Sequence, residues 1–486
     1  MLRILYRILA ALLLLYVALL IPGKEDGTIV RPTAKPFAWN RDSIWQELEN
    51  DFREARIQPA VKLDSSIHLL FSTAGKFYKN ITAKTLPATD SNFNLLLSDF
   101  FSLAPLVAAR PVYCDSLVNF YIKTRNAVKQ QSCQWSMHDI AVRNTLYSLL
   151  YGMRAAVEEV LLQQDIKSFK PAMFCKDEPS VTPSTSVFGI KVHSGDLLVS
   201  RGGAEVSAFI ARANDYPANF SHVALVYVDE KTNTPYLIES HIEKGVALAT
   251  VQQYEADKKL RFMVLRPRAD LRELQRDKML PQRAAVFAYE EAQRRHIPYD
   301  FKMNFYDSTA MFCSEVGSYA YRKNGMILWK AVSTISSQGA VNWLNAFGVE
   351  NFVTQMPGDL EYDPQLSVVA EWRDMETLFK DHIDNAVTDA LLEAADKGKQ
   401  ITYNYWMLPF VRVLKGWCML QNLFGKVGMI PEGMSATQAL KNQQYVSMFG
   451  KLKKDTETGI QAFVSANGYR PPYWSIVSIA KSNCGK

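Results

Sequence analysis

The sequence predicts an α+β fold, an antiparallel meander joined to a cysteine-bearing helix and flanked by helical N- and C-terminal regions. Three observations predict it. Short β-branched apolar runs separated by turn signals follow one another from Gly195 to Leu265. Apolar residues recur at helical spacing before Gln164 and again after Arg373. Between these lies Asp307–Gly325, DSTAMFCSEVGSYAYRKNG, with good N-cap residues at Asp307, Ser308 and Thr309 and a stop at Gly325. It reads as one helix with Cys313 in its opening turn, where free N–H groups and the helix dipole stabilise a thiolate. A buried, inert cysteine is the plainer reading of Cys313 taken alone.

At 486 residues the chain exceeds one compact core, so two or three domains are expected. Its composition, 48% hydrophobic and 21% charged, is that of a folded globular protein. The net charge of +6 is dispersed, and the longest basic run, Lys451–Lys454, reads as a solvated helix face. No nucleic-acid motif is present, so no nucleic-acid partner is expected.

In chain order, Arg3 and Arg7 precede an uncharged apolar run from Ile8 to Ile21, ended by Pro22 and Gly23. Residues 1–23 therefore read as a membrane anchor or signal segment. The anchor is favoured because no A-x-A-like cleavage site follows. Its positive end would stay cytoplasmic and the remainder would be exported, to a bacterial periplasm or cell surface. Cleavage would instead give a secreted protein. Residues 24–39 read as a tether, polar and broken by proline. Residues 40–170 read as a helical domain, clearest at His138–Gln164, where Leu146, Leu149, Leu150, Met153, Val157, Val160 and Leu161 share a face. Pro171, Pro179 and Pro183 mark a linker over 171–190.

Within 191–372, strands are expected at Gly195–Ser200, Val223–Val228, Tyr236–Ile242, Ala247–Val251 and Phe262–Leu265, then a helix at Pro281–Arg295. Met356–Trp372 reads as a closing flap. Residues 373–486 read as a C-terminal helical region. In it, Tyr403–Leu423 suits a packed helix better than an interfacial membrane helix.

The six cysteines include no CxxC pair and no cluster with zinc-site spacing, so neither a metal nor a cofactor is expected. Cys114 and Cys133 flank a helix and could close a disulfide, worth roughly 3 kcal/mol for a loop of that size.

A cysteine hydrolase needs a thiolate, an imidazole that shares its proton, and a polar group that fixes the imidazole. His222 opens the strand SHVALVY, and the next strand reads YLIESHIE. Alternation puts Glu239 and His241 on one face, and a hairpin brings that face beside His222. Singly, His222 suits a satisfied core histidine and Glu239 an edge carboxylate. Asp196 reads as part of a turn.

In order, the chain shows GDLL at Gly195–Leu198, SHVALVY at Ser221–Tyr227, LIES at Leu237–Ser240, PYDF at Pro298–Phe301 and FCSEV at Phe312–Val316. In this it resembles the permuted papain-like hydrolases of the NlpC type, the YiiX-like group, over about residues 192–372. The resemblance implies a circularly permuted papain-like domain in which Cys313 is the nucleophile, His222 the base and Glu239 the orienting group. His241 is an alternative third member. The Cys313 N–H and Tyr299 are candidates for oxyanion stabilisation. The expected function is a membrane-anchored, exported thiol hydrolase that cleaves an amide or ester through an acyl-enzyme. Its substrate would be an envelope peptide, peptidoglycan or lipid. An acyltransferase using the same site, or a catalytically silent envelope scaffold, is the alternative.

Overall fold

The computed structural model describes residues 2–21, 32, 34–37, 41–165 and 171–485. Most of the stretch read as a tether lies outside them. A seven-stranded antiparallel sheet is the centre of the molecule. Across the sheet the strands run Ala172–Phe174, Leu366–Arg373, Lys259–Pro267, Leu197–Gly202, His222–Val228, Pro235–His241 and Gly245–Ala249. The last four are consecutive in the chain and form the expected meander.

The inner strands bury both faces, so they read as nearly continuous apolar runs. On one side Leu197, Val199, Leu225, Ile238, Met263 and Val368 pack under the helices Leu280–Arg294 and Cys313–Lys323. On the other, Leu198, Val226, Leu237 and Val264 are covered by the hairpin Ser184–Val187/Ile190–His193 and the helix Val251–Ala256. Helical regions flank this domain. Four N-terminal helices between Ala60 and Leu162 bury Leu96, Phe100, Tyr121 and Leu150 in a core of their own. C-terminal helices including Met375–Asp396, Ala436–Asn467 and Tyr473–Cys484 build another around Trp343, Val387 and Tyr445.

Five expectations are corrected. The supposed linker is part of the fold: Ala172–Phe174 forms the edge strand of the sheet, and Ser184–Val187 half of a hairpin. The supposed flap contains Leu366–Arg373, which pairs on both sides, with Ala172–Phe174 and with Lys259–Pro267. Its alternation is masked because both faces are buried. The cysteine helix starts at Cys313, not at Asp307. Asp307 instead closes a local turn, its carboxylate accepting from the Thr309 N–H at 3.0 Å. Cys114 and Cys133 sit at opposite ends of the helix Cys114–Ser132. At about 1.5 Å per residue that helix holds them far beyond the roughly 7 Å a disulfide allows. Finally, the helix Leu408–Leu423 packs along one side, burying Leu408, Pro409 and Cys418 with Val411 and Leu414 half-buried beside them, and leaves the other side exposed.

Candidate active site

The meander places the acid–base pair. Ala224 stands opposite Glu239 in the register, so His222, two residues earlier on the same face, is diagonal to Glu239 and faces His241. The His222 Nε2–H donates to Glu239 Oε2 at 2.8 Å. His241 Nε2 approaches the other oxygen, Oε1, at 3.1 Å, and the two imidazole rings are 5.4 Å apart. One buried carboxylate thus holds both histidines. Glu239, and not His241, is the group hydrogen-bonded to the His222 ring.

The nucleophile candidate arrives from the other layer. Cys313 is the first residue of its helix and is buried. Its Sγ lies 3.6 Å from the Ser221 carbonyl, at the end of the strand that His222 opens, and is close enough to the His222 ring to help raise its pKa. With Nε2 engaged by Glu239, Nδ1 is the nitrogen left to face sulfur. Gly317, one turn on, lets the helix press onto the sheet, since a Cβ there would stand 2.4 Å from the Leu197 side chain.

Two further contacts fix the loop before Cys313. The Ser240 hydroxyl donates to the Met311 carbonyl at 2.7 Å, and the Met311 N–H donates to the Pro298 carbonyl at 3.0 Å. The second brings the turn carrying Tyr299 beside the site. Gly245 allows the strand–turn approach: its φ is +71°, and a Cβ there would lie 2.1 Å from the Ile297 carbonyl oxygen.

The electrostatics follow from these contacts. Burial alone would lower the pKa of His222, but hydrogen bonds with Cys313 and Glu239 outweigh it and raise it from 6.5 to about 10. Burial would raise that of Glu239, yet its hydrogen bonds with His222 and His241 hold it well below the ordinary carboxylate range. Burial, reinforced by the nearby Cys313 sulfur, pushes the Tyr299 phenol well above its usual value, so it remains a donor. The arrangement can hold a protonated imidazole beside a sulfur, with a fixed anion behind the ring.

Sequence reasoning assigned no role to Glu315. Its carboxyl accepts from the Phe312 N–H at 2.9 Å and caps the cysteine helix. Burial raises its pKa to about 9, so it is a neutral acid in the first turn. A Glu three residues after the cap is the signal for such a box, but Phe312 replaces the usual Ser or Thr and hides it. Asp196 is structural, as read: its two oxygens each accept from the Arg266 guanidinium at 2.8 Å. The ligand atoms of His222, Glu239 and His241 lie within 4.8 Å of one another and could hold a metal ion, a grouping that cysteine spacing does not signal.

Residues 191–370 match the family described as permuted papain-like amidase enzyme, YaeF/YiiX, C92 family. That is a family of papain-like cysteine hydrolases, and its domain stands here between helical regions. Among solved structures, the crystal structure of metalloprotein yiiX from Escherichia coli O157:H7 is 21% identical, covering 37% of this chain and 97% of its own, with a TM-score of 0.30. No curated protein matches the chain.

Proposed function

We propose that the chain is an exported, membrane-anchored cysteine hydrolase that opens an amide or ester bond of a cell-envelope substrate through an acyl-enzyme. The observation that carries the reading is the line Cys313–His222–Glu239, in which the Cys313 sulfur stands beside the carbonyl next to His222 and the His222 ring is hydrogen-bonded to Glu239. His222 takes the thiol proton and the Cys313 sulfur attacks the substrate carbonyl. Oxyanion charge falls near the start of the cysteine helix, where the Cys313 N–H and the Tyr299 hydroxyl are the donors at hand. The carbonyl re-forms as the C–N or C–O bond breaks, and the His222 proton passes to the leaving amine or alcohol. Water, deprotonated by His222, then releases the acid and restores the thiol. Glu239 keeps the ring oriented and offsets the imidazolium charge.

The apolar helix Leu2–Leu20, unburied and long enough to cross a membrane, supports the anchor. Intact-protein mass spectrometry after incubation with an envelope extract tests the reading. An acyl mass that maps to Cys313 names the substrate class, and an unmodified Cys313 in an extract rich in peptide and lipid amides would count against it.

A further inference from the structure

The helix Leu408–Leu423 has an apolar stripe on the wrong side for a packed element. Trp406, Phe410, Val413, Trp417, Leu420 and Phe424 recur at intervals of four and three residues, the spacing of one helical face. All six are exposed, from 44% at Leu420 to 75% at Phe424. The opposite side holds the helix to the body: Leu408 packs on Ala436 and Leu440, and Cys418 on Ile430 and Met434. A stripe of this length facing outward marks a contact with something apolar.

We propose that this stripe lies on a lipid bilayer, at the level where the N-terminal helix leaves it, and that the active site thereby draws its substrate from the membrane. Three observations single out the bilayer. The end of the apolar helix Leu2–Leu20 is seated on this element: the Tyr16 hydroxyl donates to the Trp406 carbonyl at 3.0 Å, and Tyr16 and Phe410 meet edge to face at 5.9 Å. Arg412 donates to the carbonyls of Leu19 and Ile21, both at 2.7 Å, capping groups that helix would otherwise leave unpaired. Tyr, Trp and Arg at the mouth of an apolar helix are the side chains that favour the headgroup zone. The charge fits as well. From Ile401 to Pro431 the chain has no Asp or Glu but carries Arg412, Lys415 and Lys426, which suits anionic lipid headgroups.

The same element reaches the site. Phe301 packs against the cluster of Cys418, Ile430 and Met434, and a side chain at Gly433 would strike its ring. Phe301 belongs to the turn whose Pro298 carbonyl accepts from Met311, two residues before Cys313. The lipid-facing helix and the nucleophile are therefore joined through one turn. Resting on the hydrolase reading above, this makes the substrate an amphiphile whose acyl amide or ester is held in the bilayer.

The test uses the full chain reconstituted in vesicles of phosphatidylcholine and phosphatidylglycerol, with the acyl chains brominated near the headgroup. Bromolipid should quench part of the tryptophan emission. The double variant Trp406→Phe/Trp417→Phe should lose most of that quenching while still sedimenting with the vesicles. Quenching unchanged in the double variant, or absent from sedimenting wild type, overturns the docking and leaves the anchor standing. Failure to sediment overturns both. Emission that shifts with protein concentration and not with lipid would make a second copy the occupant, and also overturns it. For the substrate, Phe410→Glu/Val413→Glu should slow hydrolysis of a vesicle-borne N-acyl or acyl-ester lipid by at least about tenfold, while hydrolysis of a soluble short-chain ester stays within about twofold. Equal loss on both substrates overturns the membrane supply. Wild type inert toward both, with quenching intact, would sink the hydrolase reading and with it the membrane supply, but not the docking.

Discussion

At the scale of single residues, the pair His222–Glu239 decides what the site can do. Glu239→Gln keeps the shape but removes the charge behind the ring, so turnover should fall by about two to four orders of magnitude. Thermal stability should change far less. His241→Ala should be mild, because the hydrogen-bonding contact of His241 is to the carboxylate's second oxygen and not to the His222 ring nitrogen. A steady-state assay of both variants separates the roles, and equal losses would make His241 a partner in the chemistry. The raised pKa of His222 stabilises the fold fully below about pH 6.5, a contribution lost as pH rises through about 10. The depressed pKa of Glu239 acts oppositely, its contribution present above about pH 4.5 and lost as the pH falls further. Thermal midpoints should therefore be flattest between those limits, and turnover that needs a protonated His222 should decline as pH approaches 10. Both residues were legible in the sequence because alternation along two adjacent strands places them. Glu315 was not, since its partner is the backbone of Phe312 and no side-chain pattern announces it.

At the scale of elements, the close approaches matter more than the strands themselves. Gly245→Ala would put a methyl group against the Ile297 carbonyl at a φ of +71°, a backbone contact that cannot simply rotate away. It should cost about 1–3 kcal/mol in thermal or denaturant unfolding. It should also slow turnover, by moving the turn that carries Tyr299. Unchanged stability would mean the strand yields freely there. The strands of the meander were readable to within a few residues because apolar β-branched runs bounded by turns have few other uses. Leu366–Arg373 was missed because it pairs with Ala172–Phe174, almost two hundred residues away, which nothing local signals. The outward stripe of Leu408–Leu423 was misjudged for a related reason: periodicity tells which residues share a face, not what that face meets.

At the scale of the whole molecule, buried ion pairs bind the helical regions to the sheet. Glu158, on the helix Ile140–Leu162, accepts from Arg261 at 2.6 Å and Arg373 at 2.8 Å, both on central strands. His382, on the helix Met375–Asp396, approaches it at 3.3 Å. Arg261 also pairs with Asp381 at 2.6 Å, and Arg154 with Glu361. The regions before and after the papain-like domain therefore meet on its sheet. Glu158→Ala would strand several buried cations and should destabilise by about 3–5 kcal/mol, read as a large drop in thermal midpoint. A small drop would mean water or rearrangement relieves the charge. None of this was legible in the sequence, because the partners of Glu158 lie 103, 215 and 224 positions away and each looks like an ordinary surface charge. That Cys313 is a nucleophile activated by His222 is tested most directly by peptide-resolved alkylation of the full chain with iodoacetamide near pH 6. Cys313 should react fastest of the six cysteines, and His222→Ala should slow it to the rate of the others. A Cys313 that reacts no faster than Cys114 or Cys484, with or without His222, would contradict a thiol activated for catalysis.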